Sequence, residues 1–457
     1  MSLQRIAARL CRTRSLRGAC RLCYRVLACG LGLLLRVLPQ IRAAYLAGSM
    51  ATDDPEPGLS DIDFVLVVTD LPWDEEYRLV RRIEGILRYT MPPWGRPKVG
   101  LHVLIYAERE WALFADLFLG KRYGKPRTVF DKDGARPVVA MDDSIKGLHH
   151  FYKALWRLEA LQIALWKGPN SELEHQLCAR IEDRMMLSIR NAVGEYSWRA
   201  EHTHAGQASD PVDEYVPAGM CPGATSGPDA LPGLLQALDE AVFAYAPPES
   251  RHARLGPASG GETDEIVDRG TAAALANSAA EGVAAWVASM GSTDVVVLDS
   301  TECAAATGIF LRITAAGGRQ PFIVTKTVFE RLYLNAPFPS CSFTKMPEGK
   351  LLAVAGIYTH NRALIDAYAV FSKMRSAVDS THRDQYRSMR ATLEALTTYF
   401  TSRADGGGTS HRSEQETAQT EPEPEAPHDP MRAFQQLHFL AADLVRALSS
   451  CLESRSP

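Results

Sequence analysis

Asp61 and Asp63 are two carboxylates at i and i+2, at the mouth of the apolar run Phe64-Val65-Leu66-Val67-Val68. Side chains two apart on an extended strand share a face, so this pair can hold one or two divalent cations. Gly48-Ser49 closes the preceding apolar stretch, Ala43 to Ala47. A glycine there lets backbone approach a phosphate, and a serine hydroxyl with nearby N–H groups can bind its oxygens. Phosphate and metal would then meet at one place. A further candidate is His102, in the apolar segment 99–106, on the face shared by Gly100, Leu104 and Tyr106. A neutral imidazole there can serve as base or ligand near neutral pH. Plainer accounts stand beside these: Asp61-Ile62-Asp63 as a turn opening a strand, and His102 as a half-buried histidine hydrogen-bonded in a sheet. Glu108 and Glu110 either curl back toward the site or stabilise the first turn of the next helix.

The elements that must position these residues follow from periodicity. Residues 3–38 carry apolar residues at helical spacing, with Pro39 as a stop. Strands are expected at 43–47, 64–68, 99–106 and 127–130, with helices at 74–90 and 108–119 between them and a turn at Asp131-Lys132-Asp133-Gly134. From Ile145 to about Trp198 the pattern is helical, broken at Gly168-Pro169-Asn170, which predicts two antiparallel helices. Further on the sequence predicts helices at 233–245 and 271–290, strands at 294–299, 308–314 and 321–325, and helices at 327–335, 361–377, 382–402 and 431–453. The expected organisation is a basic helix over 1–24, a sheet domain over 25–144, a helical module over 145–200, a flexible connection with one helix over 201–270, an α+β C-terminal region over 271–403, a disordered linker over 404–430 and a final helix over 431–457.

The string GSMATDDPEPGLSDIDFVLVV, residues 48–68, resembles the nucleotidyltransferase superfamily that includes DNA polymerase beta, most closely its aminoglycoside-adenylyltransferase-like branch. The preceding helix, the strand after the second Asp, the later RTVFDKDG segment and the helical module are all similar to that branch. The resemblance covers about residues 25–200. It implies an α/β nucleotidyltransferase-like sheet domain in which Gly48 and Ser49 bind the triphosphate and Asp61 and Asp63 bind magnesium or manganese. It also implies transfer of a nucleoside monophosphate from a nucleoside triphosphate to the hydroxyl of a small-molecule or protein acceptor. The family has a third carboxylate on a neighbouring strand, and segment 99–106 has none; His102 stands near its place. The alternative is a catalytically degenerate nucleotide-binding or regulatory protein. The Asp-x-Asp motif of sugar-nucleotide glycosyltransferases fits less well, because there the acidic pair ends an apolar strand, whereas here it begins one.

Composition narrows the rest. The 457 residues are 46% hydrophobic and 23% charged, an ordinary globular balance that allows two or three domains. The net charge is −4 overall, +9 over residues 1–52, which hold nine Arg and no Lys, Asp or Glu, and hence −13 over the remainder. An acidic body repels nucleic-acid phosphates, which argues against such a partner. No run of about 18 uncharged apolar residues is present, so the sequence predicts no membrane span and a cytoplasmic protein. An Arg-rich transit peptide, or a short signal core at Val26 to Leu35, is the alternative reading of the N-terminus. The nine cysteines are too sparse for a disulfide framework. Cys20 and Cys23 fit helix packing better than zinc. His149-His150 and His202-Thr203-His204, without an acid or cysteine at ligand spacing, are expected to be solvated.

Overall fold

The computed structural model describes residues 14–51, 62–90, 101–123, 125–132, 141, 143–169, 171–203, 228–245, 295–298, 300–315, 322–328, 332, 360–375, 383–404 and 429–453. The expected helix at 271–290 lies outside these residues, as do most of the expected helix at 327–335 and most of the connections at 201–270 and 404–430. The chain forms two compact units, Met1–Met141 with Ala363–Pro457, and Asp142–Arg362.

The first unit is built on a mixed four-stranded sheet in the order β3-β2-β1-β4, from β1 (Ile41–Ala47), β2 (Ile62–Val68), β3 (Leu101–Ala107) and β4 (Arg127–Asp131). β1 runs antiparallel to both β2 and β4, and β2 runs parallel to β3. The helices are α1 (Arg14–Arg36), α2 (Trp73–Thr90) and α3 (Glu108–Leu119), close to where periodicity puts them. Period-two alternation sorts the strand residues onto two faces, and both are covered. Ala44, Leu46, Ile62, Phe64, Leu66 and Val68 join one core with Ala28, Leu31 and Leu35 of α1 and Leu79, Val80 and Ile83 of α2. On the other face Tyr45 stacks on Trp111 of α3 with ring centroids 5.4 Å apart, and Tyr106 stacks on Tyr368 at 5.6 Å. Burial on both faces is why β2 reads as a continuous apolar run.

Tyr368 comes from far along the chain, and with it the expected domain division changes. Three helices, α8 (His360–Met374), α9 (Arg383–Ala404) and α10 (Pro430–Glu453), follow the second unit in sequence, and all of them from Ala363 onward belong to the first unit. The expected region 271–403 is therefore split: its last part completes the sheet domain. Phe434 of α10 enters the same core as Phe64 and Leu66, and Phe371 of α8 packs at 5.9 Å from Phe114 of α3. The expected boundary at 24/25 also disappears, because α1 runs unbroken across it and buries its second half against the sheet.

The join is ionic at its centre. Arg375, just after α8, is fully buried and touches three elements. Its Nη1 and Nη2 donate to the two carboxylate oxygens of Glu110 on α3 at 2.6 and 2.9 Å, Nη1 also donates to the Ile105 carbonyl of β3 at 3.0 Å, and Nε donates to Glu76 of α2. His438 of α10 places Nδ1 2.6 Å from the second oxygen of Glu76. Glu110 also accepts the Ala107 N–H at 2.9 Å, closing the turn from β3 into α3 as a capping residue. Burial pushes the Glu76 carboxyl up, but Arg375 and His438 outweigh it and hold it at about 2. Burial pushes the Glu110 carboxyl up, with Arg375 opposing.

In the second unit α4 (Asp143–Trp166) and α5 (Glu172–Thr203) form the expected helix pair. Gly168 sits at φ +68 between them, the left-handed conformation that ends α4, and Ser171 with Glu174 caps the start of α5. Phe151, Leu155 and Leu158 are buried, as their spacing predicts for a helix core. The unit adds α6 (Leu231–Tyr245) and two parallel strands, β5 (Val295–Leu298) and β6 (Phe322–Thr325). Residues 308–314, expected as a strand, instead lie in the helix α7 (Ala306–Ala315). Parallel strands need a crossover between them, and the buried positions Ala306, Ile309 and Phe310 follow helical spacing, not alternation. The side chain of Gln162 in α4 hydrogen-bonds both backbone groups of Ile323, at 2.7 and 2.8 Å, as a neighbouring strand would.

Arg375→Met tests the ionic join. At neutral pH it leaves two buried carboxylates without their cation and should destabilise the first unit by about 3–5 kcal/mol. In the parent, the Glu76 contribution is complete above the ordinary carboxyl value of 4.5 and is lost as pH falls toward about 2. In the variant Glu110 loses the cation that opposes its burial, so its carboxyl is pushed further up and stability falls more steeply as pH rises, while His438 still faces Glu76. Denaturant unfolding from pH 4 to 8 reads the difference; parallel profiles for the two proteins would count against it.

Candidate functional site

Four of the five site residues named from sequence lie in described parts of the first unit, and backbone geometry places them at one end of the sheet. β1 ends at Ala47, paired with Asp63, and the helical turn Gly48–Ala51 follows directly. Gly48 has φ +60, a left-handed conformation that side chains disfavour. A Cβ on it would lie 2.5 Å from Oδ2 of Asp63 and 3.6 Å from its Cγ. The backbone thus favours glycine here, and a Cβ would in addition oblige the Asp63 carboxylate to shift. Ser49 is buried beside it and Asp63 is half-buried.

Position 102 stands in register with Asp63 across the parallel β2–β3 pair, so His102 occupies the neighbouring strand at the level of the Asp63 carboxylate. Asp61 and the whole segment 52–61 lie outside the described residues. The site brought together is therefore the Gly48-Ser49 turn, Asp63 and the strand position of His102. Among the described residues no group of three or more His, Cys, Asp or Glu side chains gathers as a metal centre. The described residues thus bring a single carboxylate, Asp63, against the glycine turn.

The two glutamates weighed as bases are held elsewhere. Glu110 is fully buried in the Arg375 cluster, and Glu108 pairs with Arg42 at 3.5 Å. Asp131, expected in a turn, is the last residue of β4 and accepts a 3.0 Å hydrogen bond from the Tyr45 hydroxyl. It pairs with Ala43, four residues along β1 from Ala47, and so lies away from Asp63.

Outside this site the structure corrects two expectations. His149 and His150 are buried in the second unit, not solvated, and His150 Nε2 lies 3.9 Å from Oε1 of Glu195 on α5. The acid is 45 positions away in sequence, beyond any spacing rule; only the pairing of the two long helices could have hinted at it. Of the two cysteines expected to pack, Cys20 is half-buried on α1, but Cys23 is exposed. No family model matches the chain, and neither a curated protein nor a solved structure matches it.

The closeness of Gly48 and Asp63 makes a double-mutant prediction. Gly48→Ala should cost about 1–2 kcal/mol for its backbone and more for displacing the Asp63 carboxylate. In an Asp63→Ala background only the backbone cost remains, so the two substitutions should be non-additive by about 0.5 kcal/mol or more. Thermal or denaturant melts of the four proteins measure this, and strict additivity would mean that the two residues do not meet.

Proposed function

We propose that the first unit is a nucleotidyltransferase-like domain that binds a nucleoside triphosphate with magnesium or manganese and transfers its nucleoside monophosphate to a hydroxyl of a small-molecule or protein acceptor. The observation that carries this reading is the left-handed Gly48 turn lying against the Asp63 carboxylate at the end of antiparallel β1 and β2. A glycine turn and a carboxylate in contact bring a phosphate cradle and a cation ligand to one point, which single motifs along a chain do not guarantee. Asp61 and Asp63 would hold the cation, which when bound supplies neutralisation of the triphosphate charge. The Gly48-Ser49 turn orients the phosphate oxygens, and the acceptor hydroxyl attacks the α-phosphorus in line with pyrophosphate leaving. His102, in register with Asp63, takes the hydroxyl proton.

A second reading has its own observation. β3, Leu101–Ala107, holds no carboxylate, and Glu110 just beyond it is committed to Arg375. If His102 does no proton transfer, the domain is a nucleotide-binding or regulatory scaffold.

Magnesium-dependent thermal shift with each of the four nucleoside triphosphates tests binding. Asp61→Ala and Asp63→Ala should each abolish the shift while leaving the unliganded fold intact; a normal shift in both would remove the site. Pyrophosphate release then separates the readings. His102→Ala should keep nucleotide affinity and lower transfer about a hundredfold, with parent activity falling as pH drops through the imidazole range. Nucleotide binding without pyrophosphate release for any acceptor, with release gained in His102→Asp, would establish the scaffold reading.

A further inference from the structure

The structure assigns the outer face of α1 to the surface of an anionic lipid bilayer. Residues Gly18–Arg36 are long and apolar enough to cross a membrane by length and composition. In the folded unit they cannot do so, because Ala28, Leu31 and Leu35 are buried in the core formed with β1, β2 and α2. The opposite side is what remains to be explained. Leu22, Val26 and Leu33 are 60%, 63% and 63% exposed, and with Cys29 they recur at intervals of four, three and four residues, so they form one stripe. Leu34 and Val37, also exposed, widen it at the C-terminal end.

Charge decides what covers the stripe. Arg21, Arg25 and Arg36 fall on the border between the buried side and the stripe, and residues 1–52 carry nine Arg with no acidic residue. A second copy of α1 would bring more positive charge and no carboxylate, since residues 1–52 hold none, unlike the charge-paired seams of helix dimers. A surface offering hydrocarbon at one depth and anionic headgroups just above it satisfies both the stripe and its arginine border. The helix then lies in the interface plane, with its inner side still packed on the sheet. This inference is independent of the nucleotide site, since no residue of that site belongs to α1.

The test is flotation of the full chain with vesicles of phosphatidylcholine alone and of phosphatidylcholine mixed equally with phosphatidylglycerol. Binding is expected to the mixed vesicles only and to weaken with added salt. The triple variant Leu22→Gln, Val26→Gln, Leu33→Gln should bind about tenfold or more weakly, with an unchanged melting temperature because the three side chains are mostly exposed and Gln keeps helix propensity. Arg25→Glu with Arg36→Glu should weaken binding comparably while leaving the apolar stripe in place. No binding to the mixed vesicles, or equal binding to both kinds, overturns the proposal. So does a parent dimer that the apolar variant dissociates, which would give the face to a second copy. A lowered melting temperature in the apolar variant also overturns it, because the stripe would then be covered by the chain itself.

Discussion

A single guanidinium decides how the first unit is assembled. Arg375 is buried, so its charge must be answered by protein, and the answers come from Glu76, Glu110 and the Ile105 carbonyl, all more than 260 positions earlier in the chain. A buried cation is costly to desolvate, and an apolar cluster of equal volume could be as stable. What such a cluster would lack is direction. The fork of Arg375 meets both oxygens of Glu110, and His438 takes up the second oxygen of Glu76, so the C-terminal helices have one orientation that satisfies every member. The aromatic contacts of Tyr106 with Tyr368 and of Phe114 with Phe371 then fill the space that this orientation leaves.

The same cluster supports the candidate site from the other end of its strands. Arg375 and Glu110 hold the Ile105 carbonyl and the Ala107 N–H, at the C-terminal end of β3. His102 is three residues earlier, about 10 Å along an extended strand. The parallel register between β2 and β3 runs unbroken from Ile62 with Leu101 to Val68 with Ala107, so fixing one end of β3 fixes the level of His102 beside Asp63. The polar groups at the site end need not supply that order themselves.

How much of this was legible in the sequence depended on the range of the interactions. The order of strands and helices from α1 to β4 could be read, because alternation and helical spacing are local and both faces of β2 are apolar. The Gly48-Ser49 and Asp63 meeting was legible as proximity, since the pair closes one expected strand and the aspartate opens the next, but the contact and the left-handed φ were not. The Arg375 cluster was hidden for a definite reason. Glu76 and Glu110 each stand in the first turn of a helix, where an acid is expected to complement the helix dipole from a solvated position. Nothing nearby in sequence distinguishes that role from burial against an arginine far along the chain. Residues 308–314 failed differently: Ile309, Leu311 and Ile313 alternate as a strand would, and only the parallel pairing of β5 with β6 demands a helical crossover there.

Hydropathy alone was least able to resolve α1, because a spanning helix, a signal core and a core helix share its composition. Burial separates them: a helix that places Leu31 and Leu35 under β1 and β2 has given one side to the domain and cannot surround itself with lipid. The charge distribution of the chain then acts on the side that is left. With +9 on residues 1–52 and −13 on the rest, an anionic surface attracts the segment bearing α1 and repels the remainder. Repulsion of the body is screened within about 8 Å at physiological ionic strength, whereas on the proposed lipid surface the arginines beside the apolar stripe would act inside that distance. Attraction is therefore local and repulsion weak, and the two together favour one orientation of the first unit, with α1 toward the lipid.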